Sequence, residues 1–332
     1  MILITGATGL VGGHLLYRFR ESVDLIRPIY RSKKTIDNTR AIFRSYDPLH
    51  ESIVDEFSWE QADILDIPSL ERVMRGVEQV YHCAGIIEGS FRKLKQINVK
   101  GTKNMINVSL HAGVDRFCHV SSIAALGDPL QNKAIDEDDH FNLDGKNTYY
   151  AISKFGAEME AWRATQEGME VIIVNPGVIL GEGNWNYGSS RIFKEIYDGN
   201  KFFTAGSSGF IDVRDVVMIM YKLMSSKLMN ERFILVAHNR SYKNVLDDIA
   251  QSLEKKHPSI KLSKWILQII AILSFPIRKL GIRGITLRDV DSLTSNTTYS
   301  AKKLSHHLEH QFTPIDETID RVGNYYKKSY SQ

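Results

Sequence analysis

Residues 1–16, MILITGATGLVGGHLL, run an apolar strand directly into a glycine-rich loop and then a helix, and no other stretch constrains the fold as tightly. Glycines at 6, 9 and 12 let the chain turn sharply, let backbone N–H groups approach a pyrophosphate, and let the helix pack closely on the strand. The helix N-terminus adds a partial positive charge for the same anion. An ordinary Gly-rich turn is the competing reading. The strand before, the amphipathic helix after and the alternating β/α pattern that follows select a dinucleotide-binding loop instead. Its spacing is G-x-x-G-x-x-G, one residue longer than the common G-x-G-x-x-G fingerprint.

With 332 residues there is ample material for one large domain or two unequal ones. A net charge of +3 and 43% hydrophobic residues exclude a nucleic-acid-binding surface, an acidic tail or a disordered chain. Cys83 and Cys118 are isolated in apolar segments and read as reduced core thiols; with a strand starting at residue 2 and no room for a signal peptide before it, they predict a cytoplasmic protein. The longest apolar stretch, Trp265–Phe275, is interrupted by Gln268 and Ser274 and stopped by Pro276, too short for a bilayer span. It is expected to be a buried or pocket-lining helix. A monotopic membrane contact is the alternative, because Arg278, Lys279 and Arg283 follow it.

Short β-type runs at Ile2–Thr5, Leu25–Tyr30, Glu78–Cys83, Arg116–Ser121 and Val171–Asn175 alternate with segments of helical period. That alternation predicts an α/β fold, a doubly wound parallel sheet of the Rossmann type with helices on both faces. Helices over 70–76 and 98–112 end on Gly76 and Gly113. Pro28 sits awkwardly in the second strand, where it removes a ladder donor. Past Pro176 the chain becomes rich in Gly, Asn and Ser, with a helix near Ile192–Asp198. Phe210–Leu223 and Arg232–Ala237 look like a helix and strand returning to the sheet. The expected division is a dinucleotide-binding domain over 1–175 with a return segment at 208–237, and a smaller, mostly helical substrate lobe over 238–332 with 176–207. The site should lie where the two meet, at the carboxyl ends of the strands.

Tyr150 and Lys154 stand at i and i+4, a spacing that brings an ammonium near a phenol. The same spacing recurs at Tyr30/Lys34, Tyr197/Lys201 and Tyr299/Lys303, so position must decide. Only Tyr150 opens a helix (149–164) that follows a strand ending in hydroxyls, Val120-Ser121-Ser122, and precedes another sheet strand.

In this order of motifs the chain resembles the extended short-chain dehydrogenase/reductase family, also called the NAD-dependent epimerase/dehydratase family. The glycine loop, Asp63-Ile64 after the third strand, His82-Cys83-Ala84-Gly85, Asn98-Val99-Lys100-Gly101-Thr102, Ser122 with Gly127, Tyr150/Lys154, Pro176-Gly177-Val178 and Asp212-Val213-Arg214-Asp215 follow one another as in that family. The resemblance covers nearly the whole length, and the apolar Trp265–Phe275 stretch with Asn175-Pro176-Gly177-Val178 resembles the dihydroflavonol-reductase and hydroxysteroid-dehydrogenase branch.

The resemblance implies Tyr150 as general acid/base, Lys154 as the charge that lowers its pKa and binds ribose, and Ser122 as the hydrogen-bond partner of the substrate oxygen. Ser121 is the rival for Ser122's duty. Gly6, Thr8, Gly9, Leu10, Val11 and Gly12 would hold the pyrophosphate, and Cys83, Ala84, Gly85, Ser121, Pro176, Gly177 and Val178 would border the cofactor. Asp63 would accept from the adenine amino group with Ile64 against the ring, or else serve as a strand-end turn aspartate. Asn98 is expected to hold backbone geometry near the site.

NAD-selective relatives carry an acid at the end of the second strand, where this chain reads Tyr30-Arg31-Ser32-Lys33-Lys34. Arg31 pairing with a 2′-phosphate favours NADP(H); a solvated basic loop is the alternative. The expected function is therefore an NADP(H)-dependent oxidoreductase interconverting a carbonyl and an alcohol on a small, apolar substrate. A nucleotide-sugar epimerase or dehydratase with tightly bound NAD(P), gripping a diphosphate with Asn184, Asn186 and Arg191, is one alternative. A non-catalytic dinucleotide-binding sensor is another. His306, His307 and His310 have metal-compatible spacing but no accompanying ligands beyond Glu309, so no metal is expected. Helices 98–112 and 149–164 form a homodimer interface in the family, which implies a homodimer here.

Overall fold

The computed structural model describes residues 1–127, 133–279 and 284–330. Its centre is a sheet of seven parallel strands: β1 (Ile2–Thr5), β2 (Ile26–Tyr30), β3 (Glu60–Gln61), β4 (Gln79–His82), β5 (Arg116–Val120), β6 (Glu170–Pro176) and, arriving later in the chain, β10 (Glu231–Leu235). The order β3-β2-β1-β4-β5-β6-β10 reverses direction between β1 and β4, the switch point at which doubly wound sheets open a crevice for ligands. The doubly wound expectation holds, with strand ends within one residue of those read from the sequence for β1, β2 and β4 to β6. β3 is only two residues long, too short to show alternation in a sequence.

Pro28 lies in β2, between two neighbouring strands. β2 pairs with β3 only at Ile29 and Tyr30, so Pro28 has a ladder neighbour on the β1 flank alone and its missing donor is tolerated.

The connections are helical: α1 (Leu10–Arg18), α2 (Ile36–Tyr46), α3 (Ile67–Val73), α4 (Phe91–Leu94), α5 (Gly101–His111) and α6 (Tyr149–Gln166). A wide π turn over Lys95–Lys100 joins α4 to α5. Gly76 and Gly113 have φ of +70° and +72°, the left-handed geometry that ends a helix before the next strand. One apolar layer packs α1 and α8 (Val213–Ser225) against the sheet through Leu15, Leu16, Ile219 and Met220. The other buries Val80, Phe117, Met105 and Ala161 under α3, α5 and α6.

Past β6 the chain builds β7 (Val178–Leu180), α7 (Arg191–Tyr197), β8 (Phe202–Phe203), β9 (Ser207–Asp212), β11 (His238–Ser241), α9 (Tyr242–Ser252), β12 (Ile260–Lys261), α10 (Lys264–Lys279), α11 (Leu287–Thr294), α12 (Lys302–His307) and α13 (Ile315–Tyr330). β7, β9 and β11 form a small mixed sheet, with α9 and α13 packed together over Phe210, Val245, Ile319 and Tyr326.

Two expectations for Trp265–Phe275 are corrected. The helix is not stopped by Pro276, since α10 continues to Lys279. Proline in a last turn removes the bond to the carbonyl four residues earlier, here Ile272, which is 60% exposed and can be solvated. Nor is the helix buried along its length: among its described side chains Leu267 and Ala271 are buried, while Trp265, Ile269 and Leu273 are exposed. Arg283 falls outside the described residues.

Candidate functional site

The loop between β1 and α1 is shaped by steric necessity. Gly6 has φ of +65°, and a Cβ there would stand 2.7 Å from backbone atoms of Cys83 and Ala84. A Cβ on Gly12 would stand 2.2 Å from the Gly6 carbonyl oxygen. These glycines let β1, α1 and the end of β4 converge, as the spacing predicts. Gly9 caps α1 with no side-chain hydrogen bond, and no acidic residue lies in the first turn. The first-turn N–H groups therefore have no side-chain acceptor of their own at Gly9, which fits a pyrophosphate oxygen.

Behind the loop, Thr5 Oγ1 lies 2.8 Å from His82 Nδ1 and accepts from the Ala84 N–H at 3.1 Å, while His82 Nε2 lies 3.0 Å from Thr102 Oγ1. Burial, reinforced by the charge of Lys154, pulls His82 down to about 3, so it is a neutral structural link. Asn98, on the π turn, accepts from Ile86 N–H at 2.9 Å and donates to the Ile86 carbonyl and Ser153 Oγ, each at 2.9 Å. It fastens the loop after β4 to α6, the backbone-holding role expected of it.

Ser122 follows β5, and Tyr150 and Lys154 lie on the first turns of α6, which is capped by Thr148 accepting from Ala151 N–H at 3.0 Å. The Ser122 hydroxyl, which accepts from the Ala124 N–H at 3.1 Å, stands near enough to the Tyr150 phenol to favour its ionised form. Lys154 is buried, and its Nζ donates to the Val120 carbonyl at 2.6 Å. Burial pulls Lys154 down to about 8, against the opposing pull of Glu158 and Cys83, so the ammonium still predominates at pH 7. The i, i+4 spacing predicts a depressed Tyr150; the structure differs. Burial pushes the phenol above its ordinary value, the Ser122 hydroxyl offsets only part of that, and Lys154 is engaged with Val120. Burial likewise pushes the Cys83 thiol up to about 12 and Cys118 well above its ordinary value; both are free thiols, Cys118 in the core as expected and Cys83 only half-buried at its edge, where β4 ends beside the glycine loop.

Glu158, fully buried on α6, was not singled out by sequence. It accepts from Ser121 Oγ at 2.6 Å, from Asn175 Nδ2 at 2.9 Å and from Arg232 at 3.1 Å. Asn175 Nδ2 also donates to the Ser122 carbonyl at 3.0 Å. This carboxylate joins β5, β6, α6 and β10 beneath the site. It engages the Ser121 hydroxyl, leaving Ser122 as the serine whose hydroxyl bears on Tyr150. A sequence signal existed: Tyr150, Lys154 and Glu158 continue one helical face at successive i+4 steps. Tyr187, whose hydroxyl accepts from Ile87 N–H at 3.2 Å and whose dipole bears on Tyr150, is a second group sequence reasoning passed over.

The remaining positions are distributed around the crevice. Asp63 accepts from Leu65 N–H at 2.9 Å through Oδ1, the turn geometry held open as its alternative reading. Ile64 is 8% exposed and packs where a Gly101 Cβ would otherwise stand, 2.4 Å from Ile64 Cδ1. Arg31 is exposed immediately beyond β2. Pro176 ends β6, and Gly177, whose Cβ would stand 2.4 Å from the Gly209 carbonyl oxygen, lets β7 leave alongside β9. Thr8, Leu10 and Val11 belong to the loop and the first turn of α1, and Val178 opens β7.

Asn184, Asn186 and Arg191 are engaged locally rather than aimed into the crevice. Asn184 Oδ1 accepts from Asn186 N–H, Asn186 Oδ1 accepts from Lys194 at 2.6 Å, and Arg191 pairs with Glu195. His310 lies 3.1 Å from Asp215, and the His307 ring packs edge-on to Phe233.

Residues 2–235 match the model of the NAD dependent epimerase/dehydratase family. Sterol demethylase protein B of Methylococcus capsulatus is 25% identical over 83% of this chain and 82% of its own. Cinnamoyl-CoA reductase 1 of Petunia hybrida is 26% identical over 74% of this chain and 77% of its own. Among solved structures, yeast methylglyoxal/isovaleraldehyde reductase complexed with NADPH superposes with a TM-score of 0.74 at 19% identity, covering 99% of both chains. UDP-glucose 4-epimerase of Thermus thermophilus in complex with NAD gives 0.75 at 15% identity over 98% of both.

Proposed function

We propose, from the fact that this chain belongs to the NAD-dependent epimerase/dehydratase family of extended short-chain dehydrogenases/reductases, that it is an NADP(H)-dependent oxidoreductase acting on a small, apolar carbonyl or alcohol. The family's enzymes are NAD(P)-dependent oxidoreductases and epimerases; cofactor preference, substrate class and residue roles are our reading. The observation that carries it is the gathering of Ser122, Tyr150 and a buried Lys154 at the carboxyl end of β5 and the first turns of α6.

Gly6, Gly9 and Gly12 would receive the pyrophosphate, the free Asp63 carboxylate oxygen the adenine amino group, Lys154 the ribose hydroxyls, and Cys83–Gly85 with Pro176–Val178 would border the nicotinamide. When bound, the dinucleotide supplies or accepts the hydride. In the reductive direction the substrate oxygen accepts hydrogen bonds from Ser122 and Tyr150, and Tyr150 passes its proton to that oxygen as negative charge develops there. Burial holds the proton on Tyr150 until then, which suits an acid. Lys154 stabilises the phenolate left behind, and Glu158 keeps the floor rigid by engaging Ser121 and Asn175.

Arg31 supports NADP(H): residues 30–34 carry three cations and no acid, and Arg31 is exposed where a 2′-phosphate would sit. Local engagement of Asn184, Asn186 and Arg191 favours an apolar substrate over a nucleotide sugar. The names of the sterol and cinnamoyl-CoA relatives point the same way.

Tyr150→Phe tests the assignment. It should bind NADPH as the parent does, by fluorescence titration, and turn over a carbonyl substrate at least ~100-fold more slowly. Unchanged turnover would move the proton transfer to another group. Arg31→Ala should lose about tenfold in NADPH affinity with NADH binding unaltered; equal binding of both nucleotides by the parent would refute the NADP(H) preference. Turnover of a UDP- or GDP-sugar without net NADPH consumption would refute the reductase.

A further inference from the structure

We propose that the α10–α11 hairpin is a docking face that lies on a bilayer surface rich in anionic lipid. α10 is amphipathic in an unusual sense. Its inner face gives Leu267 and Ala271, 3% and 1% exposed, to a small cluster with Val290. Its outer face presents Trp265, Ile269, Ile272 and Leu273, 61%, 47%, 60% and 67% exposed. These stand at i, i+4, i+7 and i+8, one stripe along the helix. Single exposed apolar residues need no explanation, but a continuous stripe of large ones does. The stripe is extended next door, where β12 pairs Ile260 with Phe202 of β8, 45% and 48% exposed.

Charge identifies the occupant. From Lys255 to Arg288 the chain carries eight Lys or Arg residues and no Asp or Glu. Lys255, Lys256, Lys261 and Lys264 are all exposed on the segment leading into the stripe, and Lys264 is the one of them held by an acid, Asp291 at 2.6 Å. Apolar surface with aromatic and aliphatic side chains, flanked by cations that outnumber the acids Asp289 and Asp291 of α11, matches the acyl–headgroup boundary of an anionic leaflet. A second copy of the chain would bring the same positive charge and repel it. Sixteen residues give a helix of ~24 Å, and among the described residues no helix is long and apolar enough to cross a membrane, so α10 lies on the surface rather than spanning it.

The face is joined to the site. Arg288 of α11 donates to the Asn147 carbonyl at 2.8 Å and sits 5.4 Å from the Tyr149 ring centroid, at the start of α6. Docking therefore brings the mouth beside Tyr150 close to the lipid. The surface assignment itself holds whatever the substrate is.

Vesicle co-sedimentation of the full chain tests it, with phosphatidylcholine vesicles compared against ones containing about 30 mol% phosphatidylglycerol. We expect at least ~10-fold tighter binding to the anionic vesicles, weakened by about 0.5 M salt, with a blue shift of Trp265 emission. Ile272→Glu/Leu273→Glu should lose binding ~10-fold or more while retaining NADPH affinity and its circular dichroism. Trp265→Phe should keep binding but lose the shift. Equal or no binding to the two vesicle types, or undiminished binding by the double variant, would overturn the proposal. So would a lipid-free dimer that the double variant dissolves, which would assign the stripe to a second copy.

Discussion

The sheet half and the α10–α11 hairpin treat apolar side chains in opposite ways. Leu3, Ile4, Leu15, Leu16, Val80 and Phe117 are wholly buried, each pinned between a strand and a covering helix. Among the described residues the hairpin's core is Leu267, Ala271 and Val290, while Trp265, Ile269, Ile272 and Leu273 are exposed. A strand fixes its neighbours on both edges and both faces, so one loop geometry fixes a site. A helix hairpin with so small a core among its described residues is held weakly by the protein alone. The difference separates a region built to hold atoms in place from one built to meet a second surface.

The strongest way to break this comparison is acid. His14, His82 and His119 are all buried in the sheet half; burial takes the first two to about 4 and about 3 and the third well below its ordinary value of 6.5. Arg214 adds to the effect at His14, and Lys154 at His82 and His119. Their folded pKa values lie below the unfolded one, so the unfolded chain binds more protons and stability, complete above pH 6.5, falls as the pH drops through 6 towards 4. Three such groups give a slope of about 4 kcal/mol per pH unit. Thermal melts should hold constant from pH 7 to 8 and collapse below pH ~6. A flat profile to pH ~5 would show that the histidines are hydrated and the sheet half looser than described.

Gly12→Ala comes next. A Cβ placed 2.2 Å from the Gly6 carbonyl must push α1 off β1, at about 1–3 kcal/mol in stability, with NADPH affinity lost in titration. Full NADPH affinity in that variant would mean the close approach is not required. The smallest effect sharpens the contrast within α10. Leu267→Ala should raise amide exchange throughout the hairpin, by about 2 kcal/mol locally, whereas Leu273→Ala should stay within about 0.5 kcal/mol of the parent.

What could be read from the chain follows the same divide. Gly6, Gly9 and Gly12 announce themselves because a backbone that must nearly touch another backbone admits only glycine, and that constraint is local. Tyr150 and Lys154 were legible once their strand and helix context separated them from three identical spacings. Glu158 was not, because its meaning depends on Ser121, Asn175 and Arg232 arriving from three separate strands and loops. Trp265–Phe275 misled for a different reason: hydrophobic periodicity reports that a face is apolar but not what covers it, and a helix buried in protein and one lying on another surface share that pattern. The position of Tyr150 on the pKa scale was also beyond the sequence, since the outcome turned on how the folded chain buries the phenol.

The π turn at Lys95–Lys100 makes the length of this chain matter at a place with no chemistry of its own. Such a turn holds one residue more than an α-helix uses for the same hydrogen-bonded loop, which offsets the rotational phase of everything before it by about 100° relative to everything after. Asn98 faces inward because of that offset. Removing one residue of this turn other than Asn98 would change that phase and turn Asn98 away from Ile86 and Ser153. Spacing in this segment is thus under a constraint of count rather than of identity, and a family member one residue shorter here would have to fasten the loop after β4 by other means.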